Sequence, residues 1–256
     1  MPVNCHLVDG SQAGDTASMT TLDADIARFW DRAAPTYDTA IGHGITTDAE
    51  HIVWLGTLAQ LLPPTPTRRV LDVGTGTGTL ALLLAELGHT VIGVDVAPGM
   101  LATARANAIR RSLHITFREG NAADPPVERG EVDAVMSRHL LWTLPDPQRA
   151  VQAWRALVPP GAPIVAIDGV WLAHHRRHRR SAHSYPGLGT AVLPLDRVRS
   201  PQPAAAVFHN AGLIDVDATP LPALDRLERG LMPHRQRLRT PWRRYLVRGT
   251  VPNDTR

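Results

Sequence analysis

The sequence predicts an α/β protein built on a doubly wound sheet, mostly parallel, with an antiparallel last strand. Three observations carry this. Short apolar runs alternate with helical patterns from Arg69 to Asp168, an order that places helices on both faces of a parallel sheet. The first run opens into "GTGTG", Gly74 to Gly78, where alternate positions carry no side chain. The second run ends on Asp95, 21 residues beyond Gly74.

Each element has its own signal. Residues 1–20 are small, polar and aperiodic, which predicts a disordered tail. In "DADIARFWDRAAPTYD", Ile26, Phe29, Trp30 and Ala33 recur at helical spacing, and Pro35 ends the pattern. A second helix is expected from Thr46 to Leu62. The strands "RVLDV", "TVIGVD", "HITFREG", "EVDAVMS" and "PIVAID" follow, separated by helical "TLALLLAELG", "PGMLATARANAIRR" and "PQRAVQAWRAL". Pro98 suits the first turn of the second of these helices, and right-handed crossovers wind the sheet on both sides. After Asp168 the periodicity fades through a stretch rich in Arg, His, Gly and Pro, read as an insertion after the fifth strand. The helix "PAAAVFHNAG" and the strands "LIDVDAT" and "RRYLVRGTV" close the chain. The reading is a single domain over 21–256, with segments 21–66, 67–168, 169–200 and 201–256.

Composition narrows the class. With 43% hydrophobic and 20% charged residues, the 256-residue chain reads as an ordinary soluble protein. All 27 basic residues are arginine, but the net charge is only +3, so a nucleic-acid partner is not expected. Cys5 is the sole cysteine and excludes a disulfide within one chain, which suits a reducing compartment. The first residues lack a basic then apolar leader, and the apolar run "LALLLAEL" is about half a bilayer span. A cytoplasmic protein with no membrane partner is expected; a homodimer stays open.

The glycines point to a ligand. A glycine turn between strand and helix lies at the carboxyl edge of a parallel sheet, beside the free N–H groups of a helix start. A dinucleotide fingerprint requires glycine three positions after its second glycine, where this chain has Thr79. Asp72, two residues before Gly74, would repel a pyrophosphate and attract an ammonium. Asp95 is placed to accept hydrogen bonds from two ribose hydroxyls. An amine at one end, a ribose at the other and no phosphate describe S-adenosylmethionine.

At these residues the sequence resembles the class I S-adenosylmethionine-dependent methyltransferases, which have a Rossmann-like sheet. "VLDVGTGTG" is similar to their first motif and "VIGVDVAPGML" to the acidic-strand motif. "GNAADPP" resembles the adenine-contact loop, "VDAVMSRHLLWTLPDP" the fourth-strand segment and "LVPPGAPIVAID" the fifth. "FWDRAAPTYD" resembles the entry helix of members acting on small molecules in quinone and antibiotic biosynthesis. The resemblance runs from about Phe29 to Asp168. It implies a helical lid at 21–66, a cofactor-binding core at 67–168 and a substrate-side insertion at 169–200. It also implies methyl transfer to an O, N or C atom of a small molecule, a specialised metabolite, with S-adenosylhomocysteine as product.

By the same resemblance Asp72, Gly74, Thr75, Gly76 and Gly78 hold the methionine end of the cofactor. Asp95 holds the ribose, and Val96 and Met100 flank the adenine. The family often has Asp in the adenine loop; Asn121 stands there instead, with Ala122 beside it and Asp124 as a substitute. Ser137 completes the cofactor set, and Tyr37 is a candidate for either the methionine carboxylate or the substrate. His139, after the fourth strand, is the candidate catalytic base, since an imidazole titrates near pH ~6.5. Arg138 is a candidate for an acidic substrate, and Trp30, Trp142 and Trp171 for the walls of the acceptor pocket. His174 and His178 lie four apart, but no third ligand accompanies them and neighbouring arginines repel a cation, so no metal is expected. An RNA or protein methyltransferase and a non-catalytic cofactor-binding module are the alternatives.

Overall fold

The computed structural model describes residues 21–170, 193–196, 198–232 and 243–253. The tail 1–20, most of the insertion with Trp171 and the run His174 to Arg180, and the second arginine cluster up to residue 242 lie outside the described residues.

Seven strands form one sheet in the order β3-β2-β1-β4-β5-β7-β6. They are β1 (Arg69–Val73), β2 (Thr90–Asp95), β3 (Thr116–Glu119), β4 (Ala134–Arg138), β5 (Pro163–Val170), β6 (Ile214–Pro220) and β7 (Arg243–Thr250). The first five pair in parallel. β7 enters between β5 and β6 and runs antiparallel to both, so the fold class is the one the alternation predicts. The order reverses between β1 and β4, and there the carboxyl ends of neighbouring strands diverge into a crevice.

Strand bounds follow burial. β4 and β5 are buried at every position and β1 at all but its first, and such strands read as continuous apolar runs. The helices are α1 (Thr21–Ala33), α2 (Asp48–Leu61), α3 (Thr79–Glu86), α4 (Pro98–Arg110), α5 (Pro147–Leu157), α6 (Gln202–Asn210) and α7 (Pro222–Leu231). A capping box starts α2: the Glu50 N–H donates to Thr47 Oγ1 at 3.2 Å, and the Thr47 N–H to Glu50 Oε2 at 3.1 Å. Asp146 caps α5 by accepting from the Arg149 N–H at 2.9 Å, with Pro147 in the first turn.

Alternation along the strands splits the core. Leu71, Val135, Ile164 and Val247 pack with Trp154 of α5 and Phe208 of α6. Val70, Met136, Ile167 and Leu246 pack with Trp54 of α2, Leu83 of α3 and Leu224 of α7. The sequence reading placed only strands after α6 and missed α7. Its signal was present: Leu224, Leu227 and Leu231 recur at spacings of three and four after Pro222. α7 carries Glu228, which is 2% exposed and grips Arg244 of β7, 1% exposed, through Nε to both carboxylate oxygens at 2.8 and 2.9 Å.

α1 and a short 3-10 helix (Ala34–Thr39) lie over the carboxyl edge of the sheet. Three carboxylates tie this segment down. Asp23 accepts from Asn121 Nδ2 at 2.7 Å, Asp31 from the Gly99 N–H at the start of α4 at 2.7 Å, and Asp38 from Thr77 Oγ1 at 2.5 Å. The Asp31 contact also sets a negative charge at a helix N-terminus.

Candidate active site

The crevice at the reversal of strand order holds a cavity of about 880 Å³, within the range of ligand sites. Its floor is the glycine turn and the end of β2. Its walls come from α1, the 3-10 helix and the loops after β3 and β4.

Two glycines explain the turn. Gly74 has φ +67°, and a Cβ there would lie 2.6 Å from Leu140 Cδ1, so the protein itself excludes a side chain. Gly76 has φ +55°, but a Cβ there would meet nothing within 4 Å. It borders the cavity, and the space a side chain would fill is open to a ligand. Asp95 fixes this arrangement. Its Oδ2 accepts from the Gly76 N–H at 2.8 Å and its Oδ1 from the Ala97 N–H at 3.0 Å. Each oxygen keeps a further lone pair for a hydroxyl donor. Burial pushes the Asp95 carboxyl up to about 6, against those backbone donors.

Of the expected cofactor residues, Gly74, Gly76, Asp95, Val96, Met100, Asn121, Ala122 and Tyr37 line the cavity. Asp72, Thr75, Gly78 and Ser137 do not line it. Asp72 is fully buried beneath the turn, on the α2 and α3 side of the sheet, where Oδ2 accepts from Thr75 Oγ1 at 2.7 Å and Oδ1 has no hydrogen-bond partner. Thr75 is therefore occupied with Asp72. Gly78 is the N-cap of α3, with φ +88°. Ser137 is 0% exposed, between Val73 and Ala166 in the sheet, and its Oγ has no partner.

Asn121 shapes its loop: its Oδ1 accepts from the Ala123 N–H at 2.8 Å while its amide reaches Asp23. Asp124 also lines the cavity. The Ala122 carbonyl is held from behind by Trp154 Nε1 at 2.7 Å.

Among the acceptor candidates Trp30, Tyr37, Arg138 and His139 line the cavity. Trp142 does not: the 3-10 turn Leu141–Thr143 sets it against the core on the α5 and α6 side, leaving Leu140, Thr143 and Leu144 at the cavity. Trp171 lies outside the described residues. Sequence reading also missed Asp23, Ile26, Glu119 and Arg149, which the carboxyl-edge loops and α1 bring to the wall. Their only signal was location on those loops.

His139 has φ +58°, a left-handed conformation rare for a residue with a Cβ, which turns the chain from β4 into the wall. It is 6% exposed, with its ring 5.8 Å from that of His43, which lies 4.4 Å from Tyr37. Burial and the charges of Arg244, Arg138 and His43 hold its imidazole well below the usual 6.5. Burial likewise pushes the Tyr37 hydroxyl up to about 12. Both are neutral near pH 7.

The buried carboxylates set a pH dependence. Burial raises Asp72 and Asp168 from 3.8 to about 7. An acid whose folded value is raised costs stability when ionised. That cost is complete above about pH 7 and fades as pH falls toward the unfolded value. His139, depressed, has the opposite sign, but its penalty begins only below about pH 6.5. The ligand-free protein is expected to gain on the order of 1 kcal/mol per carboxylate between pH 8.5 and 6.5. Thermal melts at the two values check this, and Asp72→Asn should remove about half of the difference, leaving the share of Asp168.

Comparison with known proteins agrees with the geometry. The family model described as a methyltransferase domain matches residues 71–166, from β1 into β5. Among curated proteins, the ubiquinone biosynthesis O-methyltransferase of Bordetella avium is 33% identical over 57% of this chain and 58% of its own length. The demethylmenaquinone methyltransferase of Thermus thermophilus is 35% identical over 53% of this chain and 61% of its own. The chain thus spans under two thirds of these relatives. Among solved structures, phosphoethanolamine N-methyltransferase 2 of Haemonchus contortus, in complex with phosphomonomethylethanolamine and S-adenosylhomocysteine, superposes with a TM-score of 0.69 at 16% identity, covering 92% of this chain and 61% of that one.

Proposed function

We propose that this protein transfers a methyl group from S-adenosylmethionine to an O, N or C atom of a small molecule, a specialised metabolite. The observation that carries the reading is the Asp95–Gly76 contact at the open face of the glycine turn. The cavity wall supports it. Asp23, Asp95, Glu119, Asp124 and Asp146 line it against Arg138 and Arg149, a balance that favours a cationic ligand and disfavours a diphosphate. The relatives named for ubiquinone and menaquinone biosynthesis support a small acceptor.

When bound, the cofactor supplies a methyl carbon already activated by a positive sulfur. The residues of the chain then have to orient and enclose. Asp95 and the Gly76 backbone fix the ribose, Val96 and Met100 grip the adenine, and Asn121 holds the adenine loop. Trp30 and Tyr37 close the cavity from the lid, excluding water and bringing the acceptor to ~3–3.5 Å of the methyl group. His139 serves as a neutral wall, since burial and then the guanidinium charges of Arg244 and Arg138 oppose its protonation.

Calorimetric titration with S-adenosylhomocysteine tests the cofactor half; no heat at millimolar ligand would end the proposal. Labelled S-adenosylmethionine with a panel of quinols, phenols and amines tests transfer. With an acceptor in hand, His139→Ala is expected to lower turnover without moving the pH profile between 5 and 9. An inflection below pH 6.5 in the wild type that the variant lacks would restore His139 as the base.

A further inference from the structure

The inner end of the cavity contains an unusual cation. Arg138 is 8% exposed and borders the cavity. Its Nη2 donates to the carbonyls of Gly42 at 2.6 Å and His43 at 2.8 Å, and the guanidinium sits 5.0 Å above the ring of Trp54. Its Nε has no hydrogen-bond partner. Arg244 donates to the same Gly42 carbonyl at 2.9 Å, but its charge is matched by Glu228. Among the described residues no carboxylate lies within ion-pair distance of Arg138. Asp72 and Glu228 act on it only at longer range, and Arg244 opposes it.

Two guanidiniums therefore meet at one carbonyl, and only Arg244 has a carboxylate, Glu228, at ion-pair distance. Burying a cation without a counter-anion is costly, and the cost is offset when an anion arrives. The acidic groups at the wall, Asp95 among them, belong to the other face of the problem: they suit the cationic and ribose parts of a ligand. Arg138 supplies a charge of opposite sign in the same cavity.

We propose that Arg138 is the oxyanion-binding group of this cavity, taking a carboxylate through guanidinium donors that the protein leaves unused. This rests on the cofactor reading above. The carboxylate can come from the methionine end of the cofactor or from an anionic acceptor; planar geometry and fixed charge suit both.

Deleting charge on the ligand separates the sources without disturbing the protein. S-Adenosylhomocysteine is compared with its carboxamide by calorimetry on the wild-type chain. Benzoate is compared with benzamide on the chain saturated with S-adenosylhomocysteine. At least a tenfold preference for the anion in one pair is expected, lost in Arg138→Gln and partly kept in Arg138→Lys. A preference in the first pair assigns the cofactor carboxylate, and in the second an anionic acceptor. Equal affinities within both pairs overturn the inference while leaving the cofactor reading intact. A preference that survives in Arg138→Gln overturns it as well, because another group then holds the charge. If neither S-adenosylhomocysteine nor its amide binds, the cofactor reading is what has failed. Should Arg138→Gln not fold, the wild-type comparisons and Arg138→Lys still decide.

Discussion

Replacing Asp95 with alanine is expected to lower the affinity for S-adenosylhomocysteine by 100-fold or more while the fold persists. Two effects combine. The first is loss of hydrogen bonds from ribose hydroxyls to a charged acceptor, each worth about 1.5–3 kcal/mol. The second is loss of order in the ligand-free turn, because Asp95 holds the Gly76 and Ala97 N–H groups before any ligand arrives. Asp95→Asn separates the two: its amide oxygen can keep one backbone contact but not the charge. An intermediate affinity is therefore expected for Asn. Calorimetry gives the affinities, and circular dichroism checks the fold. A tenfold loss or less in Asp95→Ala would place the ribose elsewhere. Asp95 is raised to about 6, so wild-type binding should itself weaken as pH falls through 6 and the carboxylate is neutralised.

The largest loss of stability is expected from Glu228→Ala. The substitution leaves Arg244 charged and 1% exposed with no carboxylate on its Nε. Breaking a buried pair by removing one partner typically costs about 3–5 kcal/mol. In a chain of this size each kcal/mol lowers Tm by roughly 2–4 °C, so Tm should drop by roughly 6–20 °C. Removing both partners, Glu228→Leu with Arg244→Met, should recover much of this, because apolar replacements of similar volume no longer strand a charge. Thermal melts of the two single variants and the double variant complete the cycle. Additive losses would mean that the pair is not coupled. The effect reaches beyond α7, because Arg244 also holds the Gly42 carbonyl beside the cavity.

The frame was legible because local patterns encoded it. β1, β2 and α5 fall on the residues their apolar runs and caps marked. The glycine turn and Asp95 were also legible, since both lie at ends of strands whose period was clear. α7 escaped notice because its leucines sit between two strand-like stretches, with Pro220, Pro222 and Pro233 close on either side. Side-chain direction within the site was not legible, for one reason. Sequence spacing shows that Asp72 and Ser137 are near the carboxyl edge, but the pleat decides which face each takes, and both turn into protein. The direction of Trp142 was hidden for a related reason: a three-residue 3-10 turn sets it, and no periodicity announces so short an element. The Arg138–Gly42–Arg244 meeting joins three distant parts of the chain, a contact no local pattern contains.

The bonds of Asp23, Asp31 and Asp38 have a kinetic meaning. They fasten α1 and its extension to the loop after β3, the start of α4 and the glycine turn before α3. Whatever lodges in the crevice is roofed by a segment hinged from outside the sheet. Release of a bound ligand is therefore expected to quicken when Asp23, Asp31 and Asp38 are replaced by alanine, which stopped-flow measurement of release checks.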